Sequence, residues 1–314
     1  MKHDKINRIS GIFFVSLLLL ALCFSSAGAS KTGTAPLGAE LQNASYTGFS
    51  VTDNPVTLKD GTWQGEPYEE DGASRPEIKL LAGTYPIADF DGDGSEDAAV
   101  LLTESGGGTG TFHYLAVVVK KDGKLHNIAT TMLGDRLQII EFGAENGVIA
   151  VKVVQAGPND PAGYPADFVT RSFTLKGSTL EEEQRVDKAD RLSPDVMAGV
   201  TWVLAEWNPD EPAPQEPEIS LAYKGGRFTG FSGCNRYFTD VTAGEMAGSI
   251  LVGMVGTTRM ICSPPIDAAE MRFHELLAEV TEFGFDSGRL VLSYSEGESG
   301  AALFFKRKQD GAVK

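Results

Sequence analysis

The sequence predicts a mainly β protein in two parts. An antiparallel β-rich N-terminal domain comes first, and a smaller β domain with one packed helix follows. Three observations carry this reading. Short runs rich in Val, Ile, Phe and Tyr recur between glycine-bearing turns from Leu41 to Glu182. Strong helical spacing of apolar residues begins only after Pro264-Pro265. Two cysteines, Cys234 and Cys262, stand in a glycine- and aromatic-rich stretch of a chain that reads as exported, where two thiols point to one disulfide. Two buried free thiols or a metal pair is the alternative, although two cysteines without matched histidines make a poor zinc site.

The N-terminus sets the expected compartment. Lys2, Lys5 and Arg8 precede an apolar run, Gly11 to Phe24, that is too short to span a bilayer comfortably. Ala27-Gly28-Ala29 supplies the small residues that a signal peptidase reads. Residues 1–29 are therefore expected to be a cleaved signal peptide, leaving a periplasmic or secreted protein. Lipidation at Cys23 is the alternative, and the leucines of Leu20-Ala21-Leu22 put bulk where lipoprotein signals want a small residue. No second such run follows, so no transmembrane segment is expected after cleavage. The formal charge of −16 becomes about −18 without the leader. So acidic a chain repels phosphate backbones and anionic lipid, which argues against nucleic acid as a partner.

The expected division falls near residue 190. The first domain covers residues 30–190, the second 191–308, and 309–314 form a tail. Glu181 to Arg191 is charge-rich and apolar-poor, and Ser193-Pro194 follows it, which reads as a linker or a short surface helix. Upstream, the clearest strands are Val56 to Leu58, Ala98 to Leu102, Tyr114 to Val119, Val148 to Val154 and Phe168 to Leu175. Asp122-Gly123, Asn146-Gly147 and Lys176-Gly177 read as hairpin turns, because glycine accepts the positive φ they demand. Together these predict an antiparallel meander.

The sharpest chemical feature of the first domain is Asp89-Phe90-Asp91-Gly92-Asp93-Gly94-Ser95-Glu96-Asp97. Acidic side chains at alternate positions converge when a loop coils around a cation. Gly94 permits the turn, Ser95 offers its carbonyl, and Asp97 closes the shell. Hard oxygen ligands of this kind suit a structural Ca²⁺. The twelfth position is Val100, so this is no EF-hand, and the loop resembles the DxDxDGxxD turns of integrin-like propeller repeats. The competing reading is a polar hairpin tip held by Asx turns.

Other features carry no chemistry. Gly106 to Gly110 lacks a following Gly-Lys-Ser/Thr, and His274-Glu275 lacks the second histidine of a zinc protease. His113 and His126 are isolated. Glu66, Glu69, Glu70 and Asp71 read as a solvated acidic face. No catalytic residue is expected.

The second domain opens with the strand Thr201-Trp202-Val203-Leu204, followed by a proline-rich surface loop from Pro209 to Pro217. Strands are expected at Glu218 to Tyr223, Gly226 to Gly230 and Ile250 to Val255. Ser263 is placed to cap a helix whose Ala269, Phe273, Leu276, Leu277 and Val280 share one face. Leu290 to Ser293 and Leu303 to Lys306 end the sheet. A tryptophan strand, Gly226 to Phe238 containing Ser-Gly-Cys-Asn-Arg, then Thr257-Thr258-Arg259-Met260-Ile261-Cys262, a helix and two strands form an ordered signature. This order is similar to the META domain, also called HslJ-like, over the C-terminal third.

The resemblance implies a small β-barrel-like fold with a helix against it. It also implies an exported or membrane-associated bacterial protein, a link to stress and antibiotic tolerance, and no established catalytic centre. Phe231, Gly256 and the long loop after Trp202 depart from the family pattern. Arg236 and Arg259 flank the cysteines and can clamp an anionic ligand, or pair with a local carboxylate such as Glu270. The leading expectation is a non-catalytic envelope stress or scaffold module that meets an envelope or extracellular protein or a small ligand. A protein-partner inhibitor or adhesin, using Pro209 to Pro217 or an edge strand, is the second. A hydrolase of envelope polymers, with paired carboxylates from the first domain, is the third.

Overall fold

The computed structural model describes residues 35–83, 85–121, 123–161, 164–183, 189–294 and 301–308. The expected signal peptide with Cys23, residues 184–188 of the expected linker and the tail 309–314 lie outside the described residues. Among those described, no helix is long and apolar enough to cross a membrane. From Ala35 onward the chain forms one compact unit.

The N-terminal region is built from two antiparallel sheets. One holds Thr62–Gln64, Glu77–Leu80, Asp97–Ser105, Phe112–Lys121 and Lys124–Asp135 in that order, with Ile87–Ala88 added to Asp97–Ser105. The other runs Thr179–Glu182, Asp167–Lys176, Val148–Gln155, Gln138–Glu145, with Asp190–Arg191 added to Asp167–Lys176. The expected meander is therefore split between two layers.

Strand alternation explains the stacking. Side chains one residue apart point to opposite faces. Ala98, Val100, Leu102, Ala116 and Val118 pack against Leu41, Tyr46, Phe49, Val56 and Leu58. Their neighbours Ala99, Leu101, Leu115, Val117 and Val119 pack against Ile149, Val151, Val153 and Phe173 of the second sheet. Both faces of Asp97–Ser105 and Phe112–Lys121 are covered, which is why these strands read as continuous apolar runs. The second sheet repeats the device. Ile139 and Val153 face the first sheet, while Ile140 and Val154 join the C-terminal core.

Two long strands escaped the sequence reading. Lys124–Asp135 carries Thr130, Thr131 and two register shifts against its partner, so no clean alternation survives. Gln138–Glu145 is broken by a bulge opposite Lys152 and Val153. The flanks of the expected linker are also held in sheet. Thr179–Glu182 is a strand, and Arg191 pairs with Asp160 and Asp167, both at 2.8 Å.

The C-terminal region is a barrel-like sheet. Its strand order is Ile250–Val252, Arg236–Ala243, Arg227–Ser232, Ile219–Tyr223, Thr201–Asn208, Ala301–Arg307, Arg289–Tyr294, Val280–Asp286, all antiparallel. The two ends meet through a Ser249–Glu282 bridge and a Phe283 amide that donates to the Gly248 carbonyl at 2.8 Å. The curl also requires Gly230, where a Cβ would lie 1.9 Å from the Ser220 carbonyl oxygen. The helix Pro264–Ala278 sends Phe273 and Leu277 into the same core as Trp202, Phe228 and Phe305.

Four local expectations change. Val280 is buried, but in the strand after the helix. Ser263 occupies the N-cap position without a side-chain cap bond. The strand expected from Ile250 to Val255 ends at Val252. The loop Pro209 to Pro217 is not a free surface turn. Glu211–Pro212 pairs with Thr201–Asn208, Ala213 is buried, and Arg272 binds Glu211 while stacking over Trp207 at 4.8 Å.

Candidate functional site

The residues around Cys234 form a locked polar cluster. The sulfurs of Cys234 and Cys262 are bonded, with Cα atoms 6.1 Å apart. Beside them Asn235 uses every polar atom it has. Its amide N–H donates to Glu270 Oε1 at 2.9 Å and its side-chain NH₂ to Glu270 Oε2 at 2.8 Å. Its Oδ1 accepts from Thr258 Oγ1 at 2.8 Å and from the Met260 amide at 2.7 Å. The Ser232 hydroxyl also donates to Glu270. Burial pushes the Glu270 carboxyl up, but the bonds from Ser232 and Asn235 outweigh it and hold the group below its ordinary range.

This cluster joins three elements: the turn between Arg227–Ser232 and Arg236–Ala243, the segment leading to Cys262, and the helix. The Ser-Gly-Cys-Asn run is therefore a fastener. Its polar atoms are consumed internally, which suits structural fixation better than reaction with a substrate.

The two arginines are placed otherwise than the pairing reading held. Glu270 is occupied by Ser232 and Asn235, not by a guanidinium. Arg236 and Arg259 are exposed, and neither finds a carboxylate partner among the described residues. The backbone brings them close in the fold, since the Thr258 amide donates to the Arg236 carbonyl at 3.0 Å.

The family model of the META domain matches residues 195–310, the stretch that forms the barrel-like sheet, the bonded cysteines and the helix. That stretch is a META domain. No curated protein matches the chain. A solved NMR structure of a protein from Burkholderia xenovorans is 24% identical, covers 40% of this chain and 96% of its own, and superposes with a TM-score of 0.31.

The META domain presents an apolar surface that sequence reasoning did not locate. Six of the ten exposed large apolar side chains among the described residues fall between Phe238 and Ile261. Met254 and Ile261 are 96% and 97% exposed, and Phe238, Met246, Leu251 and Met260 are each more than half exposed. Phe238 lies on the outer face because Tyr237 and Thr239 point inward, as strand alternation requires. Arg227 stacks over its ring at 5.4 Å. The available signal was the methionine-rich run from Met246 to Met260, too apolar for the polar connections around it.

The acidic loop sits far from this domain in sequence, at the entry to Asp97–Ser105. Asp89, Asp91 and Asp93 each bring a carboxylate oxygen within 4.8 Å of the others. The Asx turns are present too. Asp89 accepts from the amides of Gly92 at 2.7 Å and Gly94 at 2.9 Å, Asp91 from that of Asp93, and Asp93 from that of Ser95. Asp97 is buried. Its Oδ2 accepts from the Phe90 and Asp91 amides, while its Oδ1 has no partner. Burial pushes its carboxyl up, and the charges of Asp91 and Asp93 add to that against the two amide bonds. Converging carboxylates with an orphaned buried oxygen suit a hard cation. Asp97 stands outside the group of three carboxylates that lie within 4.8 Å of one another.

Proposed function

We propose that this protein is an exported, non-catalytic binding module of the cell envelope whose META domain docks a protein partner through its exposed Met- and Phe-bearing surface. The observation that carries this reading is the concentration of exposed apolar side chains between Phe238 and Ile261. Large exposed apolar patches are uncommon on proteins without partners, and Met and aromatic residues are enriched at interface centres. Arg236 and Arg259 lie in the same stretch and supply the cationic rim that a partner's carboxylates or phosphates would meet. The family's occurrence in exported, stress-linked proteins supports the compartment.

A photo-crosslinking side chain placed at Met254 tests the reading in cells. One discrete adduct is expected, lost in an Ile261→Asp variant whose circular dichroism is unchanged. No adduct from Met254 or from Met260 counts against it.

The same reading assigns the acidic loop a structural Ca²⁺ held by Asp89, Asp91, Asp93, Asp97 and the Ser95 carbonyl. Calorimetric titration of the mature protein is expected to show saturable Ca²⁺ binding, and Ca²⁺ is expected to raise the melting temperature. The Asp91→Ala, Asp93→Ala variant is expected to show neither effect. A wild-type protein without binding heat overturns this assignment.

A further inference from the structure

One cavity lies where the three sheets meet. It encloses about 280 Å³. Its apolar lining comes from Leu81, Leu101, Ile139 and Phe142, with Tyr85 beside them. Leu101 belongs to the first sheet, Leu81 follows Glu77–Leu80 and donates its amide to the Leu101 carbonyl at 2.9 Å, and Ile139 and Phe142 belong to the edge strand of the second. The remaining wall is the tip and end of two META strands, including Arg289, Lys306 and Arg307.

The edge strand explains why the space persists. Consecutive residues Ile139 to Phe142 all line it, so the cavity runs along the unpaired side of Gln138–Glu145. That side is bridged only in part. The Gly288 amide donates to the Ile139 carbonyl at 2.8 Å, and Arg307 to the Ile140 carbonyl at 3.4 Å. These bonds hold the META hairpin against the strand and leave an opening beside it.

The charges at the opening are not equivalent. Arg289 pairs with Glu206 and Asp286. Arg307 stacks over Trp202 and lies 3.8 Å from Glu141. Glu141 is in turn neutralised by Lys152 at 2.8 Å. Lys306 is exposed, and among the described residues its ammonium meets only the side-chain carbonyl of Gln215, at 3.3 Å. It is the cation left for a ligand, in a chain whose net charge is −16.

We infer that this junction binds a small anionic amphiphile, a medium-chain carboxylate, with its chain along the edge strand and its head at Lys306. The size fits. A space of about 280 Å³ is on the scale of one short acyl chain. The chemistry fits as well, since small-ligand sites are apolar enclosures with a few placed polar groups at domain junctions. The site is distinct from the META surface that docks a protein, so either assignment can fail alone.

Decanoate and decanol are the probes, titrated into the mature full-length protein by calorimetry. Decanoate is expected to bind saturably with one site. Ala82→Trp, which fills the opening from an exposed lining position, is expected to weaken decanoate about tenfold or more. Lys306→Glu is expected to weaken decanoate by a similar factor and to leave decanol unchanged. Circular dichroism and the melting temperature verify that both variants fold. Absence of saturable decanoate binding, or an unchanged affinity in Ala82→Trp, overturns the site. An equal response of both probes to Lys306→Glu overturns the role of the lysine.

Discussion

Removing the Cys234–Cys262 bridge is expected to lower the stability of the META domain by about 3–4 kcal/mol. The bridge spans 28 residues of sequence. Closing a loop of that length in the unfolded chain removes conformational entropy worth about 3.6 kcal/mol in the loop-entropy treatment. Whole domains are stable by only about 5–15 kcal/mol, so this is a large fraction. The bridge also ties Cys234, which is buried, to the segment that carries Thr258 and Met260 to Asn235. Its loss therefore loosens the fastener as well as the unfolded chain. Urea denaturation followed by tryptophan fluorescence measures this, because Trp202 and Trp207 both lie in the barrel core. A Trp63→Phe background removes the tryptophan of the N-terminal sheet. A Cys234→Ala, Cys262→Ala protein within 0.5 kcal/mol of the wild type would mean that the barrel holds this segment without the bridge.

Glu270→Ala is expected to cost about 3–5 kcal/mol, comparable to the bridge. The substitution leaves the buried Asn235 amide and side-chain NH₂ without the acceptor they share, and each stranded donor costs about 1–3 kcal/mol. It also opens a gap beside Phe273 on the buried face of the helix. The carboxyl adds a pH dependence. Its folded pKa lies below its ordinary value of 4.5, so its contribution is complete above that pH and fades as the pH falls through the folded value. Wild-type META domain should therefore lose stability on acidification below pH 4.5, and Glu270→Gln should be less stable at neutral pH but lose less of what remains. His274 acts in the same direction at a higher pH, because burial pushes its pKa down against the pull of Glu270. Parallel urea curves at pH 7, pH 5 and pH 3 separate the two groups, because the Glu270 contribution fades only below 4.5. An acid response in Glu270→Gln as steep as that of the wild type would remove Glu270 as its source.

Legibility in the sequence followed the range of the forces involved. Val148–Gln155 and Asp167–Lys176 were readable because alternating burial writes itself into residues two apart. The closeness of Asp89, Asp91 and Asp93 was readable because alternate positions of one short loop stay together whatever the rest of the fold does. Asn235 as the centre of the polar cluster was not readable. Its partners Thr258, Met260 and Glu270 stand 23 to 35 residues away, and nothing in the spacing shows which of them receives its amide. The same distance explains the misplaced arginines. Arg236 and Arg259 flank the cysteines in sequence, but Glu270 approaches from the helix on the side of Asn235 and Ser232.

Local patterning was enough to specify a mostly antiparallel β chain, its principal turns, the long helix and the pair of thiols, because each depends on residues within one strand, turn or helical face. The layering depended on long-range assembly. Ile139 and Ile140 are chemically identical neighbours, yet one faces the first sheet and the other the META core. The junction cavity and the exposed methionines belong to the same class. They are regions where packing between distant elements stops, and packing is a property of the folded whole.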